Sequence, residues 1–324
     1  MSMRWPLKLV LASEGIALGL MLLVVADQGA HKRVQAMAGV NSWGYRGAVM
    51  PARAAGEIRI AVVGGDYGFG WGLAPEETTA AYLRAVIDRR LVAAGGSNTI
   101  TAMNLSALGL PAPAYADRIA HFAYLTPDVI CLYIDLTDRG EGDTLPPSDS
   151  AITALTGYVP MLPLLLRDKG RAMTMAGNGM GGAAVSAAGG LLRSADRALY
   201  SWVPRSAPWP GTRREALGRA VDAALSSARA VVTVVPRPVG ESEWPAHREA
   251  IDLFTMRAAT EPRLRNVDLS TVDRLSDPNL RLDGYHLGAA GHSVAADAIA
   301  PAVLAALETA GVVPPSRNSR GDGR

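Results

Sequence analysis

The chain has 324 residues, 49% of them apolar, and a formal net charge of +2. It is long enough for one large core or two small ones, and too apolar for a disordered chain. No basic run exceeds His31-Lys32-Arg33, which argues against a nucleic-acid partner, and the single cysteine, Cys131, excludes disulfides and cysteine metal sites.

Arg4 and Lys8 precede an apolar run over residues 9 to 26. The run is about as long as a bilayer core requires. Val24-Val25-Ala26 offers a cleavage site, so a removed signal peptide competes with a retained anchor. The run exceeds the usual apolar core of a signal peptide, which favours the anchor. Either way the remainder is expected outside the cytoplasm, secreted if the run is cleaved. Residues 27 to 50 read as a linker and entry loop, with a turn-rich aromatic stretch from Asn41 to Gly47.

From Ile58 to Val63 a β-branched run ends in Gly64-Gly65, the pattern of a buried parallel strand closing in a tight turn. Pro75, Glu76 and Glu77 then predict a helix over 75–93, stopped by Gly95-Gly96. Further strands are expected at 100–104, 128–134, 230–235 and 264–269. Helices are expected near 113–124, 246–258 and 289–307, with another opened by a capping box at Thr212 and Glu215 and running to about Ser227. The apolar segment from Gly157 to Leu166 reads as a core-covering loop and helix, with a lid, an acyl-binding wall or a membrane-resting segment as alternatives. The Gly/Ala-rich residues 176–190 read as a flexible or closely packed connection. Residues 139–150 read as a polar loop, and the tail from 313 as disordered. Strands alternating with helices imply parallel β-α-β units in one domain over residues 51–312.

Three stretches together resemble the SGNH (GDSL-type) hydrolases. Gly64-Gly65-Asp66 with Phe69-Gly70-Trp71-Gly72 is similar to that family's Gly-Gly-Ser-Thr-Thr-x-Gly-x-Gly variant. Asp128 to Asp138 is similar to the strand ending in Gly-x-Asn-Asp. Asp283-Gly284-Tyr285-His286, followed by Ala290-Gly291-His292, is similar to the Asp-x-x-His block before the last helix. The resemblance implies a three-layer α/β/α flavodoxin-like sandwich with a parallel five-stranded sheet. It also implies ester hydrolysis or acyl transfer on acylated carbohydrates or lipids, no cofactor, and a membrane acyltransferase as a partner.

Carried over residue by residue, His286 is the base and Asp283 its orienter. Asp66 stands where the nucleophilic serine belongs; a one-residue deletion would put Tyr67 there instead. Around the cleft Gly65, Asn104, Gly109 and Asp138 match. Ser106 stands where glycine is usual, Asp135 replaces glycine and Thr137 replaces asparagine. Two readings follow, with a third behind them. The first, narrowly favoured, is a degenerate hydrolase that binds a ligand, with Asp66 paired to His286. The second is an enzyme using Asp66 as a carboxylate nucleophile. The third is an esterase using another serine such as Ser106. One histidine among scattered acids gives little signal for a metal.

Overall fold

The computed structural model describes residues 5–136, 150–156, 158–175, 179–200 and 211–314. Thr137, Asp138 and the polar loop to residue 149 lie outside them, as does the tail from residue 315. The chain divides into two compact units, Met1–Gly44 with Pro146–Pro204, and Tyr45–Leu145 with Arg205–Arg324.

The second unit holds a five-stranded parallel sheet, β1 (Glu57–Gly64), β2 (Thr99–Asn104), β3 (Val129–Tyr133), β4 (Ala230–Val235) and β5 (Leu264–Asp268). The spatial order is β2-β1-β3-β4-β5. That is the doubly wound flavodoxin-like order, which places ligand sites at the carboxyl ends of the strands near β1 and β3. Ile60 lies opposite Val129 and Gly64 opposite Tyr133, so the carboxyl ends of β1 and β3 are level.

Strand periodicity sorts the side chains into two cores. Ile58, Ile60 and Val62 face one side, where they meet Leu83 and Ile87 of a helix at Thr79–Ala93 and Ile299 and Val303 of a helix at Ala289–Thr309. Ala61 and Val63 face the other, with Ile119, Leu217, Val221 and Phe254 of helices at Tyr115–His121, Arg213–Ser227 and Trp244–Thr260. Each fully buried Ile, Leu or Phe stabilises the fold by roughly 1.5–3 kcal/mol relative to exposure, so β1, buried on both faces, anchors the sandwich.

The predicted helix over 75–93 is split. Pro75–Glu77 is a single tight turn, Thr78 is extended with its hydroxyl donating to Pro75 O at 2.9 Å, and the α-helix starts at Thr79. The capping box holds as predicted: Thr212 accepts from the Glu215 amide, and Glu215 from the Thr212 amide.

The first unit is helical, with segments at Trp5–Ala38, Ala151–Thr156, Leu162–Met175 and Gly179–Tyr200. In chain order the helices of both units are α1 (5–38), α2 (66–69), α3 (79–93), α4 (115–121), α5 (151–156), α6 (162–175), α7 (179–200), α8 (213–227), α9 (244–260) and α10 (289–309). α1 continues through residues 27–38, where the composition suggests a linker. α7 is a helix where the Gly/Ala content suggests a connection; its packing with α6, through backbone in contact at Gly170, offsets the low helix propensity of glycine.

Candidate active site

At the carboxyl end of β1 two glycines are required by space. A Cβ on Gly64 would lie 2.0 Å from Tyr133 O, and one on Gly65 would lie 1.9 Å from Asp135 Oδ2. The chain then makes α2, one turn long, closed by Gly70 at φ +77°. So short a helix leaves nearly all its backbone groups unpaired, and side chains from neighbouring segments satisfy them. Asn104, at the end of β2, donates to Gly68 O at 3.1 Å and Phe69 O at 3.2 Å. Arg46 donates to Phe69 O at 2.6 Å, Gly70 O at 2.5 Å and Leu73 O. Burial pulls the Arg46 guanidinium down to about 10, against Glu76 and Glu77, which raise it.

The amide end of α2 is held by one carboxyl group. Asp135, two residues past β3, accepts from the Asp66 amide at 2.7 Å and from the Tyr67 amide at 3.1 Å. Asp66 in turn accepts from the Gly109 amide at 2.7 Å. Asp135 is buried, and burial first and the charge of Asp66 second push its carboxyl up to about 7; the two amide bonds and Arg213 oppose the shift. Arg213 also donates to the Asp135 carbonyl.

The dyad lies in the loop before α10. Gly284, at φ +78°, turns the chain so that Asp283 accepts from the His286 amide at 2.8 Å and pairs with His286 Nδ1 at 2.7 Å. The bond to His286 comes first among the causes that hold the Asp283 carboxyl down at about 2. Engaging Nδ1 leaves Nε2 as the ring atom that can take a proton. Tyr285 joins this loop to α2: its ring centroid lies 5.1 Å from Tyr67 and 5.0 Å from His286. Tyr67 also stacks on Tyr133 at 6.3 Å, and burial raises its hydroxyl well above the usual tyrosine value.

The structure thus brings Gly65, Asp66, Tyr67, Asn104, Gly109 and Asp135 together around α2, with Tyr285 linking them to Asp283 and His286. Thr137 and Asp138 lie outside the described residues. The expected pairing of Asp66 with His286 is not found. Among the described residues His286 pairs with Asp283, and the Asp66 carboxylate is taken by a backbone amide. Ser106 is 1% exposed, and its hydroxyl lies where a Cβ on Gly68 would come within 2.4 Å. It packs α2 against β2 and is not presented to solvent. Sequence reasoning missed Arg46 and Arg213; the first sits in the turn-rich entry loop and the second beside the Thr212 cap, where each reads as an ordinary surface cation. His292 is buried too, its Nδ1 accepting from the Thr79 amide at 3.2 Å, and burial pulls it down to about 3. Among the described residues no group of three or more His, Cys, Asp or Glu side chains is arranged to hold a metal ion.

No family model and no curated protein matches the chain. Solved structures do. A lipolytic G-D-S-L family member from Veillonella parvula is 11% identical, over 75% of this chain and 96% of its own, with a TM-score of 0.43. A family 3 carbohydrate esterase from Clostridium thermocellum is 15% identical, over 74% and 92%, with a TM-score of 0.40. The esterase EstA from Pseudoalteromonas sp. is 11% identical, over 76% and 96%, with a TM-score of 0.41.

Proposed function

We propose that this chain is a membrane-tethered binding protein built on a hydrolase-type sandwich, and that it does not hydrolyse esters. One observation carries the reading: the amides that would receive an oxyanion already hold the chain's own carboxylates, Gly109 through Asp66 and residues 66 and 67 through Asp135. Losing a single oxyanion donor costs roughly 3–4 kcal/mol of transition-state stabilisation, and here carboxyl oxygens stand where the oxyanion would sit. The ligand class that the sequence resemblance implies is an acylated carbohydrate or lipid. The test is turnover of short-chain aryl esters by the purified chain, expected to be no faster than by His286→Ala. Robust, His286-dependent turnover would overturn the reading.

The intact Asp283–His286 dyad supports a second reading, in which the base is retained for different chemistry. An Asp66 oxygen would displace an anionic leaving group from an sp3 carbon to form an ester. Water, giving its proton to His286, would then cleave that ester. Turnover of an alkyl electrophile that is lost in both Asp66→Asn and His286→Ala would establish this reading over the first.

The tether is α1. Its segment Val10–Arg33 contains an 18-residue window with a mean hydropathy of 1.9, of which 6% is buried. Just past the candidate cleavage site, Asp27 ties α1 to the rest of its unit. Its carboxylate accepts from the Met161 amide at 2.9 Å and the Leu162 amide at 2.5 Å, capping α6. On this reading the globular part lies outside the cytoplasm; a carboxyl-terminal reporter active only in the cytoplasm would refute it.

A further inference from the structure

We propose that α7 is a second membrane-contacting element, lying along the bilayer surface with its outward face in the lipid; this rests on the reading of α1 as a membrane anchor. The outward face of α7 has the wrong chemistry for water. Met180, Ala184, Ala187, Leu191, Ala195 and Leu199 recur at helical spacing and are all exposed, Met180 by 91%, Leu191 by 72% and Leu199 by 62%. Among the side chains described on α7, Ser194 is the one polar residue that is exposed. A helix facing water carries its charges outward. Here Arg193 and Asp196 are half-buried, and Asp196 accepts from the Ile152 amide at 3.2 Å, at the start of α5.

The inner face packs by backbone contact. Gly182 and Gly189 are buried, and a Cβ on Gly170 of α6 would lie 2.4 Å from Ser186 N and 2.7 Å from Gly182 O. Close approach through small residues is how helices pack in lipid.

The occupant of the outward face follows from the place of α7 beside α1. Met21, Leu22 and Val24 of α1 are 59–64% exposed, and α1 is long enough to need a bilayer around them. Leu192 and Asp196 of α7 share a groove of about 250 Å³ with Leu20, Leu23, Val24 and Asp27 of α1. α7 therefore lies beside α1 where its apolar run ends, at the boundary between acyl chains and headgroups. α7 does not cross. Arg193 and Asp196 interrupt its apolar run, and among the described residues the helices apolar enough to span are α1 and the half-buried α10. An amphipathic helix in this position sinks its apolar face about 5–10 Å into the boundary between headgroups and chains.

The test uses the full chain in phosphatidylcholine vesicles. An environment-sensitive dye is placed on Ala187→Cys, Leu191→Cys or Met21→Cys in turn. Cys131 is 1% exposed and stays in place, and the unsubstituted chain supplies the background. Spin-labelled phospholipids should quench the dye at Ala187 and Leu191, those labelled near the headgroup more than those labelled near the chain end. The order should reverse at Met21. Water-like emission at Ala187 and Leu191 with quenching at Met21 would overturn the proposal and leave the anchor standing. Water-like emission at all three would overturn both. Coupling between dyes of two copies at Ala187 without lipid quenching would overturn the proposal in favour of self-association.

Discussion

Replacing Asp135 with Asn isolates the energetics of the α2 site. The carboxyl rises from 3.8 in the unfolded chain to about 7 in the folded one. The difference is about 3 units, and at 1.36 kcal/mol per unit it amounts to about 4 kcal/mol. Asp135 is 5% exposed, so solvent screening takes little from that figure. The folded state binds the proton more tightly than the unfolded state. The stability this group contributes is therefore complete below pH 4 and is lost as the pH rises towards 7. Asparagine does not titrate, so the stability of the wild type minus that of Asp135→Asn should fall by about 4 kcal/mol between pH 4 and pH 8. The measurement is paired denaturant unfolding of the two full-length chains in the same detergent across that range. Using the difference cancels the other titrating groups and any fixed cost of losing an acceptor at the Asp66 and Tyr67 amides. A difference that stays flat, or rises with pH, would refute both the burial argument and the assignment of Asp135 as the acceptor. Asp66→Asn should move the fall to lower pH without abolishing it, because burial comes before the charge of Asp66 among its causes.

Asp66→Ser frees the Gly109 amide but leaves Asp135 on the amide of residue 66, so it should stay inactive on aryl esters; adding Asp135→Gly should give His286-dependent turnover if the rest of the cleft is competent. Gly65→Ala should lower the thermal midpoint sharply, since the new methyl would meet Asp135 Oδ2 at 1.9 Å, and Asp135→Gly should recover part of the loss. His292 titrates in the opposite sense to Asp135. Its folded value is about 3 against 6.5 unfolded, so the stability of the wild type minus that of His292→Gln should be full above pH 6.5 and fall as the medium is acidified towards pH 3.

The five strands were legible because each is a short β-branched or continuous apolar run bounded by turn residues, and burial on both faces demands that composition. The Asp283–His286 dyad was legible because it is local: three residues and one glycine turn suffice to form it. α7 was not legible, since a Gly/Ala-rich stretch has no strong helical signal until the backbone of α6 packs against it. Around Asp66, Asn104, Gly109 and Asp135 meet the same turn of chain as the sequence suggested, Arg46 and Arg213 were missed, and the pairing of Asp66 was misread. Sequence placed two acids and a histidine near one strand end, and Coulomb attraction suggested that Asp66 would meet His286. The fold decided otherwise because β1 lies between β2 and β3. That order brings the Gly109 amide from beyond β2 and the Asp135 carboxylate from beyond β3 to the same turn of chain. Backbone amides carry no signature in sequence, yet one of them holds the Asp66 carboxylate at 2.7 Å.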